Sequence, residues 1–231
     1  MRIDKFLVLN NQGSRTQVKE RLKKGQITVN QAIITAADYQ VDPMTDKITS
    51  QGILLSYEEK VYYMLHKPAG IVSATRDAIN TTVIDLLEAE HRTDLFPIGR
   101  LDKDTEGLIL ITNDGAFAHQ IMSPRKAIAK TYFARIDSAI TEEEIEQFAQ
   151  GIDIGDDKRT LPAGLKSARK KENEVLVTIT EGRYHQVKRM FQAFGQHVLY
   201  LKRISIGTLE LDDALPIGQY RKLTIEELAK L

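Results

Sequence analysis

The sequence predicts an α+β chain in two parts: a small unit of helices and a hairpin over residues 1–57, then a larger unit over 58–231 on a mixed, largely antiparallel sheet. Three observations carry this. Helical and strand patterns do not alternate regularly, and hairpin-like connections are frequent, which disfavours a doubly wound parallel sheet. The polar run Tyr57-Glu58-Glu59-Lys60 reads as a seam between two cores. A chain of 231 residues with 42% hydrophobic residues has enough apolar surface for one or two such cores.

The elements follow in order. Residues 2–9 read as a short helix. Ser14 is a good N-cap with Gln17 three residues on as its partner, and the helix it starts runs to about Lys24 and stops at Gly25. Residues 27–34 alternate and turn around Asn30-Gln31 as a hairpin. Beyond the seam, a strand over 61–65 enters the turn His66-Lys67-Pro68-Ala69-Gly70. Residues 82–90 read as a helix capped by Thr81 or Thr82. An apolar strand over 108–111 leads to a tight turn at Asn113-Asp114-Gly115, and a helix over 116–122 stops before Pro124. Strands are expected at 130–137, 174–180, 198–204 and 208–211. Between them lie an acidic helix over 141–150, capped by Thr141 with Glu144, and a basic helix over 186–194, ending at Gly195. Its residues Val187, Met190, Phe191 and Phe194 share one inward face. Thr224 caps a last helix, with Glu227 as its partner.

Composition narrows the function. The absence of cysteine excludes disulfides and thiolate chemistry and allows a reducing compartment. The apolar run in MRIDKFLVLN is too short and interrupted for a signal peptide or membrane span, so a soluble cytoplasmic protein is expected. Net charge is zero, which by itself argues against nucleic acid, but charge is unevenly placed. Residues 1–30 carry seven Arg or Lys (Arg2, Lys5, Arg15, Lys19, Arg21, Lys23, Lys24) against two acids. Arg15, Lys19 and Lys23 share one helix face, as phosphate contacts or as a solvated surface. The five histidines are scattered without paired ligand spacing, and no P-loop or G-x-G-x-x-G occurs, so neither metal nor nucleotide cofactor is expected.

Two segments could carry chemistry. In Gly99-Arg-Leu-Asp-Lys-Asp-Thr-Glu-Gly107, Asp102 sits two residues after Arg100 on a loop ahead of a strand, held in place yet reachable. An Asp in a loop is more often a turn former or cap, a reading that suits Asp104 and Asp114. Asp102 and Asp104 are too close in sequence to flank a sugar bond as a glycosidase pair. In Glu181-Gly-Arg-Tyr-His-Gln-Val-Lys-Arg-Met-Phe191, a basic helix start beside Arg183, Lys188 and Arg189 suits a phosphate or a catalytic carboxylate.

The run G-R-L-D-x-x-T-x-G-L-x-L-x-T-N-D-G resembles the signature of pseudouridine synthases, and E-G-R-Y-H-Q-V-K-R-M-F is most similar to the RsuA type. The order R-x-D-K-x-L…G-x-S-R…G-x-I-x-V-N over residues 1–57 resembles the RNA-binding module first seen in a small-subunit ribosomal protein. The resemblance covers essentially the whole chain. It implies cofactor-free isomerisation of a uridine in 16S ribosomal RNA, carried out by a monomer on a partly assembled small subunit. It implies Asp102 as nucleophile, Lys188 as its basic partner and Tyr132 as the residue packing on the target base. An opposite charge at contact favours an ionised carboxylate. Arg100 would fill the space of a flipped base or hold its phosphate. RNA contacts are implied for Arg183, His185, Gln186 and Arg189, with Arg2, Lys5, Arg15, Lys19 and Lys23 in the first unit. The same chemistry on 23S or transfer RNA, or a non-catalytic ribosome-assembly protein, stays open. One departure is His66, where the family often has Asn before Lys-Pro.

Overall fold

The computed structural model describes residues 1–55, 58–90, 92–168 and 172–231, with only the backbone of Glu88 and Ala89. Tyr57, the first residue of the expected seam, and His91 lie outside the described residues. The chain divides into two compact units, Met1–Val61 with Leu87–Leu95, and Tyr62–Leu86 with Phe96–Leu231.

The first unit opens with helices α1 (Ile3–Leu9) and α2 (Arg15–Lys23). Ser14 and Gln17 form the expected reciprocal cap, each side chain bonding the other's backbone N–H. Four short strands follow, β1 (Ile27–Val29), β2 (Ala32–Ile33), β3 (Ile48–Ser50) and β4 (Ile53–Leu54), in the order β2-β1-β3-β4. The hairpin turns at Asn30 and Gln31, whose φ values of 50° and 73° match the twist of a two-residue turn. Phe6, Leu7, Val18, Leu22, Ile27 and Ile48 close one core under the helices.

The second unit is built on β5 (Tyr62–Lys67), β6 (Phe96–Ile98), β7 (Glu106–Thr112), β8 (Lys130–Ile136), β9 (Gly164–Ser167), β10 (Glu174–Ile179), β11 (Val198–Ile206), β12 (Leu209–Glu210) and β13 (Tyr220–Lys222). Among the described residues they form one sheet in the order β13-β5-β7-β11-β8-β10-β9, with β12 on β11 and β6 on β7. The β7–β11 pairing is parallel and the other pairings are antiparallel, so the fold is α+β on a mixed sheet. Helices α3 (Gly115–Met122), α4 (Glu142–Gln150), α5 (Gln186–Gln192) and α6 (Ile225–Leu228) complete it. Capping boxes at Thr141/Glu144 and Thr224/Glu227 start α4 and α6. No helix among the described residues is long and apolar enough to cross a membrane.

One expectation changes. Residues 82–90 form no continuous helix: a 3-10 turn covers Asp85–Glu90 and breaks at Leu87. Val83 and Leu87 are both buried but belong to different units. A continuous helix would have placed this i, i+4 pair on one face. The tight turn at 113–115 joins strand to helix as expected, and the Asp114 side chain accepts from Ala116 N and Phe117 N to cap α3.

Candidate active site

The loop from Gly99 to Thr105 leads into β7, which pairs with three strands. At its C-terminal end β7 pairs with β5 and β6; at its N-terminal end it pairs with β5 and β11. Gly107 makes the last pairing possible. Its φ is +106°, and a Cβ there would lie 2.2 Å from the Arg203 carbonyl oxygen. Only glycine permits that approach.

The loop itself is pinned from below. Ser73 Oγ donates to Leu101 O at 2.9 Å and accepts from Leu101 N at 3.0 Å. Lys67, fully buried at the end of β5, donates to the carbonyls of Thr105 (2.8 Å), Pro68 (3.0 Å), Asp102 (3.1 Å) and Lys103 (3.3 Å). Burial pushes this ammonium down to about 8, against the opposing pull of Asp104, Asp102 and Glu106. His66 points to the other face of the strand, where its Nδ1 pairs with Leu215 O at 2.8 Å. The departure from the family's Asn therefore lies away from the loop.

On this platform Asp102 faces two basic groups. Lys188 Nζ is 3.3 Å from Oδ2 and His185 Nε2 is 3.6 Å from Oδ1. The Asp102 side chain is 27% exposed, so it is paired and still reachable. Lys188 stands on α5, which Val187, Met190 and Phe191 anchor in the core as their spacing predicts. Phe194 lies beyond the helix and stacks on Phe148 at 5.9 Å. Lys188 also donates to Asp104 Oδ1 at 2.6 Å. Burial raises the Asp104 carboxyl, but the hydrogen bond and charge of Lys188 outweigh it and hold it below the usual carboxylate value. Asp104 was expected as a turn former, yet it shares the cation with Asp102.

The remaining expected residues divide. Tyr132 is buried mid-way along β8, opposite Arg203 of β11 and Val177 of β10. Among the described residues no hydrogen bond joins it to Asp102. Arg100 is exposed on the loop. The resemblance implies RNA contacts for Arg183 and Arg189; within the protein, Arg183 pairs with Glu181 at 3.0 Å and donates to Lys158 O and Arg159 O, while Arg189 pairs with Asp156 and donates to Ile154 O. Gln186 was expected at RNA. It is buried, its Oε1 accepting from Arg183 N and its Nε2 donating to Glu181. These three side chains brace the turn before α5, because acids and carbonyls from 151–160 and Glu181 surround them. In the first unit Arg15, Lys19 and Lys23 are exposed along α2, with Val18 and Leu22 buried on the other side, and Lys5 is exposed on α1. Arg2 pairs with Asp4 at 2.7 Å. Lys67 was missed as a site residue: in the sequence it is only part of a Pro/Gly turn, and its role depends on carbonyls far along the chain.

The loop thus presents two carboxylates to one lysine, and the less exposed of them, Asp102, also meets a histidine. Residues 61–193 match the family model for RNA pseudouridylate synthase, and residues 1–46 match the S4 domain. The chain belongs to the RNA pseudouridylate synthase family. It is 44% identical over 231 residues to the "Uncharacterized RNA pseudouridine synthase YtzG" of Bacillus subtilis, covering 99% of this chain and 97% of that one. It is 40% identical over 232 residues to the ribosomal small subunit pseudouridine synthase A of Vibrio cholerae, covering 100% and 99% of the two chains. The enzyme of the same name from Escherichia coli K12 is 39% identical over 232 residues, with both chains covered completely. A crystal structure of a pseudouridylate synthase superposes with a TM-score of 0.70 at 37% identity, covering 100% of this chain and 99% of that one. Like its family, the protein is an isomerase acting on uridine in RNA, with an RNA-binding S4 domain ahead of the synthase domain.

Proposed function

We propose that the protein isomerises one uridine of small-subunit (16S) ribosomal RNA to pseudouridine, with Asp102 as the reacting carboxylate, Lys188 as its charged partner and Tyr132 as the base-packing residue. The observation that carries this is the Asp102 carboxylate, pinned through its loop by Lys67 and Ser73, yet open to solvent and 3.3 Å from Lys188. Asp102 assists cleavage of the N-glycosidic bond, by attack at the ribose or by taking a ribose proton. The freed uracil turns over and its carbon 5 bonds to the ribose, which breaks the Asp102–ribose bond on the first route or is followed by return of the ribose proton from Asp102 on the second; the proton on carbon 5 is then lost while N1 gains one. Atoms balance without an oxidant or cofactor. Lys188 and His185 hold the carboxylate in place. The small-subunit target is supported by the names of relatives that match over the full length. The division of labour is RNA binding by residues 1–57, with Arg2, Lys5, Arg15, Lys19 and Lys23, and chemistry in 58–231, with Arg100 beside the nucleophile. Asp102, Lys188 and Tyr132 stand on one chain, so a monomer suffices, and the cytoplasm is where it would meet ribosomal RNA.

The test is a map of pseudouridines in ribosomal RNA from a strain lacking this protein. One small-subunit position should lose its modification, regain it with the wild-type protein and not with Asp102→Asn, which is nearly isosteric but neither nucleophilic nor basic. A change confined to large-subunit RNA would overturn the substrate, and turnover by Asp102→Asn would overturn the nucleophile.

A further inference from the structure

Beside the paired Asp102 lies an aromatic ring, Tyr184, that the pairing does not need. Tyr184 is 76% exposed. Its ring lies on that of His185 with centroids 3.9 Å apart and planes 16° from parallel. His185 in turn has its Nε2 3.6 Å from Asp102 Oδ1. The stack therefore begins at the reacting carboxylate and ends in solvent. One face of Tyr184 is taken by His185, and the other is open.

The backbone that holds this stack is strained and braced. His185 has φ +48°, a left-handed conformation costly for its side chain, and makes no side-chain capping bond to α5. Serine, aspartate or asparagine would cap the helix better. Such strain persists where the surroundings over-determine it, and it collects at ligand clamps. Here the surroundings are explicit. Arg189 Nη1 donates to Tyr184 O at 3.2 Å, and Arg183 N donates to Gln186 Oε1 at 2.9 Å across the turn. Arg183 also ties the turn to Lys158 O at 2.6 Å and Arg159 O at 2.8 Å. Four braced residues thus present one flat apolar face, fixed before any ligand arrives.

Unpaired bases in RNA are recognised by stacking on exposed aromatic rings, since every base has a π-face. We propose that Tyr184, backed by His185, is a stacking shelf for one unpaired nucleobase adjacent to the target uridine. The shelf is one ring removed from Asp102, so the base it meets is a neighbour of the reacting nucleotide, while the target itself turns toward Asp102. Tyr184 is then a binding and specificity residue, and His185 a positioning residue for it. The proposal rests on Asp102 as the reacting carboxylate.

The chain has no tryptophan, so Tyr184→Trp in the full-length protein introduces a single fluorescent reporter at the shelf. Its emission should be quenched by a single-stranded, uridine-containing RNA oligonucleotide and not by the same sequence in a perfect duplex. On a small-subunit ribosomal RNA transcript, Tyr184→Ala and Tyr184→Leu should raise KM by about 5- to 100-fold with a smaller change in kcat. Tyr184→Phe should retain wild-type KM. Unquenched Tyr184→Trp emission together with a normal KM in Tyr184→Ala would overturn the shelf. Adding Asp102→Asn to Tyr184→Trp separates this from the nucleophile: quenching should persist without turnover. Quenching with turnover would reject Asp102 and leave the shelf standing.

Discussion

Lys67 is wholly buried with four carbonyl oxygens around its ammonium, and three of them belong to the loop of Asp102. An ammonium has three donors, so one carbonyl shares a proton or relies on the charge alone. The folded-state value of about 8 lies below the 10.5 of an ordinary lysine. Between the two the unfolded chain binds more protons, so the contribution of Lys67 to stability rises with pH across that window, and below it the buried charge is a cost. Activity should move the other way. As pH rises through about 8, Lys67 loses its charge and a donor, the loop loosens, and kcat should fall. In Lys67→Met, kcat should be low throughout, and the gain in urea resistance between neutral pH and the upper end of that window should vanish. A wild-type profile in that variant would free the loop from Lys67. For Lys188 the charge is the required feature, so Lys188→Met should lower kcat by about 10²-fold or more, and Lys188→Arg much less. Rates measured on one RNA transcript decide it. At this scale the sequence shows residues whose role is local, such as the caps Ser14, Thr141 and Thr224, where both partners lie within one turn. Lys67 and Asp104 were not legible, because their partners are brought in by other segments.

Strand β7 shows the same division among elements. Its apolar run is plain in the sequence, but its parallel pairing with β11 depends on a missing side chain at Gly107. In Gly107→Ala a Cβ would meet Arg203 O at 2.2 Å, on a backbone with φ +106°. Strain and overlap together should cost about 3 kcal/mol or more, which lowers Tm by roughly 6–12 °C in a chain of this size. Calorimetry would read it, and an unchanged Tm would mean that β11 yields without cost. Long patterned elements such as α2, α4, β8 and β10 were predicted to within a few residues. Strands β3, β4, β6, β9 and β13 were missed. Each has two to four residues, too few for a period, and β6 contains Pro97, which removes a ladder donor. The Asp102–Lys188 pair joins the start of β7 to α5. It was accessible through the family resemblance and not through spacing.

Across the whole molecule, the unit changes between Val61 and Tyr62, just past the seam expected at 57–60, and the first unit also takes back Leu87–Leu95. Arg92 Nη1 donates to Glu58 O at 2.7 Å, and Thr93 Oγ1 donates to Val8 O at 3.3 Å. Deleting residues 1–57 would take away Val8, the acceptor for Thr93, and most of the unit to which 87–95 belongs, and so confound binding with folding. Charge reversal on α2 is the cleaner probe of the first unit. Arg15, Lys19 and Lys23 are exposed there, and the buried Val18 and Leu22 face the core, so Arg15→Glu, Lys19→Glu and Lys23→Glu together should leave the fold intact. If these cations meet phosphates, each lost contact flattens the dependence of log affinity on log salt by about 0.7 to 0.9, and the triple variant by about 2 to 3 units. Affinity for a ribosomal RNA transcript at several salt concentrations reads this slope directly. At low salt the variant should bind far more weakly than wild type, and at high salt the two should converge, because screening removes what the substitutions removed. The rate of isomerisation at saturating RNA should stay near wild type, since the Asp102–Lys188 pair is untouched. An unchanged slope would make the α2 face a solvated surface and leave the grip on RNA to the synthase domain, around Arg100 and Tyr184.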